Sequence, residues 1–172
     1  QMRFQTIWRQ SDIGEAGNIT LVEHQAYPGY THVGGNFTGC RILLCHTSVS
    51  TITSTFASNY GGQTPRLVFS GTKVVPRAVG GTWWTVVSGS ALFAYNNTNN
   101  LLYEVSWTGN TGASGANYIT HTRSGQTGRV WANSATASSG SITAGYGTLA
   151  RITVVSSGVA PTSLGRVKSM YK

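Results

Sequence analysis

Four side chains in this chain carry a carboxylate, namely Asp12, Glu15, Glu23 and Glu104, and that number limits the chemistry available to it. Glycoside hydrolysis needs two carboxylates across a cleft, and only Glu23 and Glu104 fall in strand-like stretches. A serine triad would have to use Asp12, the single aspartate, and no Gly-x-Ser-x-Gly elbow is present. Zinc takes three or four convergent His, Cys or carboxylate ligands. His24, His32, His46, His121, Cys40 and Cys45 are available, but they form no C-x-x-C or H-E-x-x-H pattern, and no calcium-loop string is present. Glycine-rich stretches such as 109–115 precede strands rather than helices, so they do not indicate a phosphate cradle. We therefore expect neither an enzyme nor a metal or other cofactor.

Cys40 and Cys45 lie five residues apart in one apolar run. In an extended strand that spacing sends the two side chains to opposite faces, about 16 Å apart along the chain at roughly 3.3 Å per residue. We expect no bridge between them unless the chain bends there. Two buried free thiols and an intermolecular bridge remain the alternatives.

The elements that must carry these residues read as strands along the whole length, with turn clusters between them and no long helical period. Phe4, Thr6 and Trp8 alternate against Arg3 and Gln5. Further strands are predicted at 18–24, 41–47, 66–70, 83–87, 101–107, 118–122, 129–131 and 149–155. A short helical turn is predicted at 53–60, ending at Gly61 and Gly62 where φ can turn positive. In 101–107 the residues Leu101, Tyr103, Val105 and Trp107 make one face, predicted to be core. Leu102, Glu104 and Ser106 make the other, where Glu104 would point outward or meet a base such as Arg151. The expected class is all-β, a β-sandwich of jelly-roll type over residues 1–157, followed by a linker and C-terminal tail over 158–172.

At 172 residues the chain is long enough to bury a real core. Only 9% of its residues are charged, against about 25% in ordinary domains, so solubility rests on hydroxyl and amide groups and on any attached sugar. The net charge of +8 reflects missing acids more than clustered bases, and the bases are scattered except for Arg166, Lys168 and Lys172. Nucleic acid is not an expected partner. No apolar run approaches the roughly 20 residues of a membrane span, so insertion is not expected. Because Gln1 is not an initiator residue, the start reads as the product of cleavage, either of an export signal or of an added tag, and the composition favours the export signal. Three Asn-x-Thr sequons, at Asn18, Asn36 and Asn96, are candidate glycosylation sites.

Several segments taken in order, 11–20, 42–48, 56–60, 68–71 and 93–105, resemble secreted prokaryotic β-sandwich domains of exported surface proteins. Subunits of environmental extracellular filaments are similar in character. The resemblance covers about residues 5–155 and implies export and a sandwich fold, with no catalytic residues to carry over.

The tail lies outside the resemblance. Leu164, Val167 and Tyr171 recur at helical spacing with Met170 beside them, so a short amphipathic turn is the mildly favoured form and an added strand the other. These four residues are the candidate assembly site. The expected function is a secreted structural subunit that polymerises with copies of itself into an extracellular pilus-like filament. The alternative is a carbohydrate-binding module using exposed aromatics drawn from five Trp and eight Tyr.

Overall fold

The computed structural model describes residues 1–26, 28, 31–112, 121–122, 128–144, 147–156 and 167–169. Within them the strands are β1 (Met2–Trp8), β2 (Gly17–Gln25), β3 (Thr31–His32), β4 (Gly35–Thr47), β5 (Arg66–Val75), β6 (Ala78–Val79), β7 (Trp83–Tyr95), β8 (Asn100–Trp107), β9 (Gly109–Gly112), β10 (His121–Thr122), β11 (Arg129–Ala132), β12 (Ser141–Thr143), β13 (Gly147–Thr148), β14 (Ala150–Val155) and β15 (Val167–Ser169). One helical turn, α1, spans Gln10–Ile13, and a 3-10 turn, η1, spans Ala57–Tyr60. Gly61 and Gly62 close η1 at φ +61° and +78°, a region open to glycine at no steric cost.

The larger sheet runs β12-β11-β1-β8-β4-β5, with β9 paired to the first residues of β4, and the smaller runs β15-β14-β2-β7. Every pairing among the described residues is antiparallel. Phe4, Trp8, Leu44 and Tyr103 from the larger sheet meet Ile19, Val22, Phe93 and Ile152 from the smaller in one apolar cluster, giving an all-β sandwich. Its aromatics are close-packed: Trp8 stacks on Tyr103 at 4.9 Å and Phe37 on Trp107 at 4.3 Å between ring centroids. These pairings leave the expected jelly-roll winding unassigned.

The alternation of β8 places Leu101, Tyr103, Val105 and Trp107 in this core as predicted. Its other face is not solvent. Ile52 and Phe56 pack over that face with Ile7, Cys45, Leu102 and Val130 in a second apolar cluster. Segment 48–63 is therefore a lid on the outside of the larger sheet, which explains why both faces of β8 are buried.

The long strands extend beyond their predicted bounds. Strand β7 continues past Val87 to Tyr95 and β5 past Ser70 to Val75, because cross-strand pairing to β2 and β4 overrides the interrupting Ser and Gly residues. Of the predicted strand 118–122, only 121–122 lies among the described residues.

Candidate assembly site

The tail meets the body of the molecule at β14. Strand β15 pairs antiparallel with it, placing Thr153 opposite Val167, Ile152 opposite Lys168 and Arg151 opposite Ser169. The other side of β14 is paired with β2, so β15 forms the margin of the smaller sheet. The mildly favoured helical turn is thus corrected at Val167: residues 167–169 are extended, since the edge of β14 offers backbone donors and acceptors that an isolated single turn lacks. Leu164, Met170 and Tyr171 lie outside the described residues.

Arg151 and Glu23 sit opposite each other on β14 and β2. The Arg151 Nε donates to Glu23 Oε2 at 2.6 Å, and the guanidinium lies 5.0 Å from the Trp83 ring centroid. An ion pair and a half-buried Trp therefore occupy the outer face of the smaller sheet beside the tail strand.

The carboxylates do not form a reactive pair. Glu104 lies in the larger sheet, 3% exposed, and accepts four hydrogen bonds from its neighbours, one on Oε1 and three on Oε2. Arg3 Nε donates to Oε1 at 3.0 Å. Arg3 Nη2, Gln5 Nε2 and the Tyr60 hydroxyl donate to Oε2 at 3.0, 2.6 and 2.6 Å. The network continues from Gln5 Oε1 to Asn59 Nδ2, at 2.9 Å, and Asn59 ties Thr53 on both its backbone N–H and its carbonyl. Arg3 also donates to the Ala137 carbonyl and lies over the Phe56 ring. Burial works against the Arg3 charge, but hydrogen bonding and the charge of Glu104 outweigh it and raise its pKa. Burial first, and then Glu104, push the Tyr60 hydroxyl up to about 12, so it remains a donor.

A carboxylate buried and held in this way presents almost no surface to solvent. It fastens the lid instead, joining β1, β8 and η1. The expected partner Arg151 is corrected to Arg3, because Gln5 stands opposite Glu104 across β1 and β8 and brings its neighbour Arg3 onto the same face. Sequence reading missed Arg3, Gln5, Asn59 and Tyr60 as a group. Its only trace was the polar alternation of Arg3 and Gln5 in β1.

Among the described residues no group of three or more His, Cys, Asp or Glu is placed to hold a metal. An open hollow of about 350 Å³ is lined by Arg9, Gln10, Ser11, Ser50, Thr51 and Asn100, with no carboxylate or imidazole in its wall. No described helix is long and apolar enough to cross a membrane. Trp8, Trp84 and Trp107 are buried in the core, and Trp83 and Trp131 are half-buried. Among the described residues, then, no Trp is left exposed for a flat sugar-stacking platform.

Cys40 joins the main core and Cys45 the second cluster, each 1% exposed and unbridged. They lie on opposite faces of β4, as their spacing predicted. Burial pushes both thiols up to about 11, and the thiolate is the reactive form. We expect neither to react with iodoacetamide in the native protein at pH 8 and both to react in denaturant. Native labelling at either position, or a denatured, unreduced monomer lighter by two hydrogens, would contradict this arrangement.

Asn18 lies within β2 between β7 and β14, Asn36 within β4 between β5 and β9, and Asn96 in the turn between β7 and β8. Comparison of the chain with protein families, curated proteins and solved structures returned no match, so geometry carries the functional reading.

Proposed function

We propose that this chain is an exported structural subunit that polymerises into an extracellular, pilus-like filament, each copy placing its C-terminal strand on the β14 edge of the next. The supporting observation is the pairing of β15 with β14 across residues 156–166. A hairpin needs only about two to five connecting residues, and this connection is longer, reaching roughly 40 Å when extended. The same backbone pairing can therefore be made within one copy or between two. When each copy donates one strand and accepts another, the contact is heterologous and grows into an open fibre unless its rotation closes.

The abundance of hydroxyl and amide groups also supports this reading, since such surfaces can hydrogen-bond from copy to copy, while the repulsion between copies that each carry a net charge of +8 is screened by salt. The carboxylates have structural work: Glu104 holds the lid and Glu23 pairs with Arg151. No catalytic role is assigned to either.

Negative-stain electron microscopy of the purified protein over a range of concentrations tests the proposal. Filaments of constant width that lengthen with concentration are expected. Monodisperse particles at every concentration, together with retention on an insoluble polysaccharide, would favour the carbohydrate-binding module instead.

A further inference from the structure

The three sequons are equal in sequence and unequal in the fold. Asn18 is half-buried, and its strand is hydrogen-bonded on both sides, opposite Ala94 on β7 and Val155 on β14. Asn36 is exposed, yet its strand is also flanked, by Val74 on β5 and Thr111 on β9, and the Thr38 carbonyl of its sequon accepts the Thr108 backbone N–H. Asn96 differs from both. It follows the last residue of β7, and its sequon, Asn96-Asn97-Thr98, ends before β8 begins at Asn100.

The turn there is sharply defined. The Asn96 Oδ1 accepts the backbone N–H groups of Thr98 and Asn99 at 3.0 and 3.1 Å, and the Thr98 hydroxyl donates to the Asn96 carbonyl. Asn97 takes a left-handed φ of +53°, a region in which Asn is enriched. The Tyr95 hydroxyl donates to the Asn99 carbonyl at 2.6 Å, and the His46 Nε2 accepts the Asn96 backbone N–H at 3.1 Å. Asn96 and Thr98 are both exposed. Among the described residues nothing hydrogen-bonds to the Asn96 Nδ2, so the turn occupies the carboxamide oxygen and leaves its nitrogen to solvent.

We propose that Asn96 is the acceptor of an N-linked oligosaccharide in the folded protein, and that Asn18 and Asn36 are not. The reaction joins the Asn96 Nδ2 to the anomeric carbon of a lipid-pyrophosphate-linked oligosaccharide. The bond from that carbon to the pyrophosphate oxygen breaks, lipid pyrophosphate leaves with the electron pair, and one Nδ2 proton passes to a base of the transferase. A transferase must also hold the acceptor segment along its backbone, which the 96–98 turn permits without breaking a sheet. At 18–20 or 36–38 the same grip would have to strip a strand from two neighbours. A sugar at this position adds hydration to a surface with few charges.

The test incubates purified folded protein with an oligosaccharide-lipid pyrophosphate and a single-subunit oligosaccharyltransferase that accepts Asn-x-Thr, alongside a denatured control. The folded protein should gain one glycan, mapped by peptide mass spectrometry to Asn96, and lose it in both Asn96→Gln and Thr98→Val variants. The denatured protein should accept glycan on all three sequons, showing that the enzyme reads each one. Transfer to Asn18 or Asn36 in the folded protein, or no transfer to Asn96 while the denatured control reacts, overturns the proposal.

Discussion

Replacing Arg3 by Ala should cost about 3–5 kcal/mol of folding stability, the range for removing one partner of a buried ion pair. Replacing Arg151 by Ala should cost less, about 1–2 kcal/mol, because that pair is only part-buried and lies between the surface and buried cases. The two ion pairs look alike in sequence, an arginine and a glutamate on neighbouring strands. They differ in water: side-chain exposures are 18% and 3% for Arg3 and Glu104, against 30% and 12% for Arg151 and Glu23. Removing Arg3 leaves a carboxylate with only Gln5 and Tyr60 to solvate it, and removes both the hydrogen bond to the Ala137 carbonyl and the contact with Phe56 of the lid.

Urea denaturation measures both costs, and a double-mutant cycle of Arg3→Ala with Glu104→Gln isolates their coupling. Neighbours in one network couple by about 0.5–3 kcal/mol. Equal costs for Arg3→Ala and Arg151→Ala would mean that the lid opens to water readily and that Glu104 is not held as described. Glu104→Gln should itself destabilise, because a charged acceptor of four hydrogen bonds becomes a neutral amide. Loss of function in that variant would therefore not reveal acid-base chemistry. Glu23→Gln is the cleaner probe.

How far the fold could be read in advance follows from the range of the interactions involved. The period of two in 101–107 is local, and it correctly assigned Leu101, Tyr103, Val105 and Trp107 to the core. The same period assigned Leu102 and Glu104 to the opposite face without revealing what covers them. The cover comes from 48–63, which crosses β1 and β8 and is held by contacts such as Gln5 to Phe56 and Phe56 to Ser138. Those partners are distant along the chain and have no shared periodicity. Arg3 was therefore not legible as the partner of Glu104. For the tail, Leu164, Val167 and Tyr171 fit a helix in a segment too short to sustain one alone. The decisive factor was the edge of β14, which spacing within the tail does not reveal. The sequons were legible as motifs, but their unequal standing depends on where the strands end.

Truncation after Ser157 should leave a folded monomer and abolish or greatly weaken filaments. Among the described residues the core cluster draws on both sheets between positions 4 and 154, and that packing is expected to hold the sandwich together when the tail is removed. What it loses is the strand on β14, and with it the backbone partners that can pass from copy to copy. Truncation alone cannot separate a strand given to a neighbour from one kept at home, because both leave β14 bare. The Thr153 to Val167 register separates them. Directly opposed residues in an antiparallel pair have Cα atoms roughly 4.5–5.5 Å apart, within reach of a disulfide. A Thr153→Cys, Val167→Cys variant, assembled and then oxidised, should give a ladder of covalent multimers on a non-reducing gel. The native cysteines should not compete, since burial keeps their thiols protonated well above neutral pH. Efficient crosslinking into monomers alone, from material that is filamentous by electron microscopy, would place β15 on its own subunit and require another surface to carry the polymer. Filaments of normal length from the truncated chain would exclude the tail from assembly altogether.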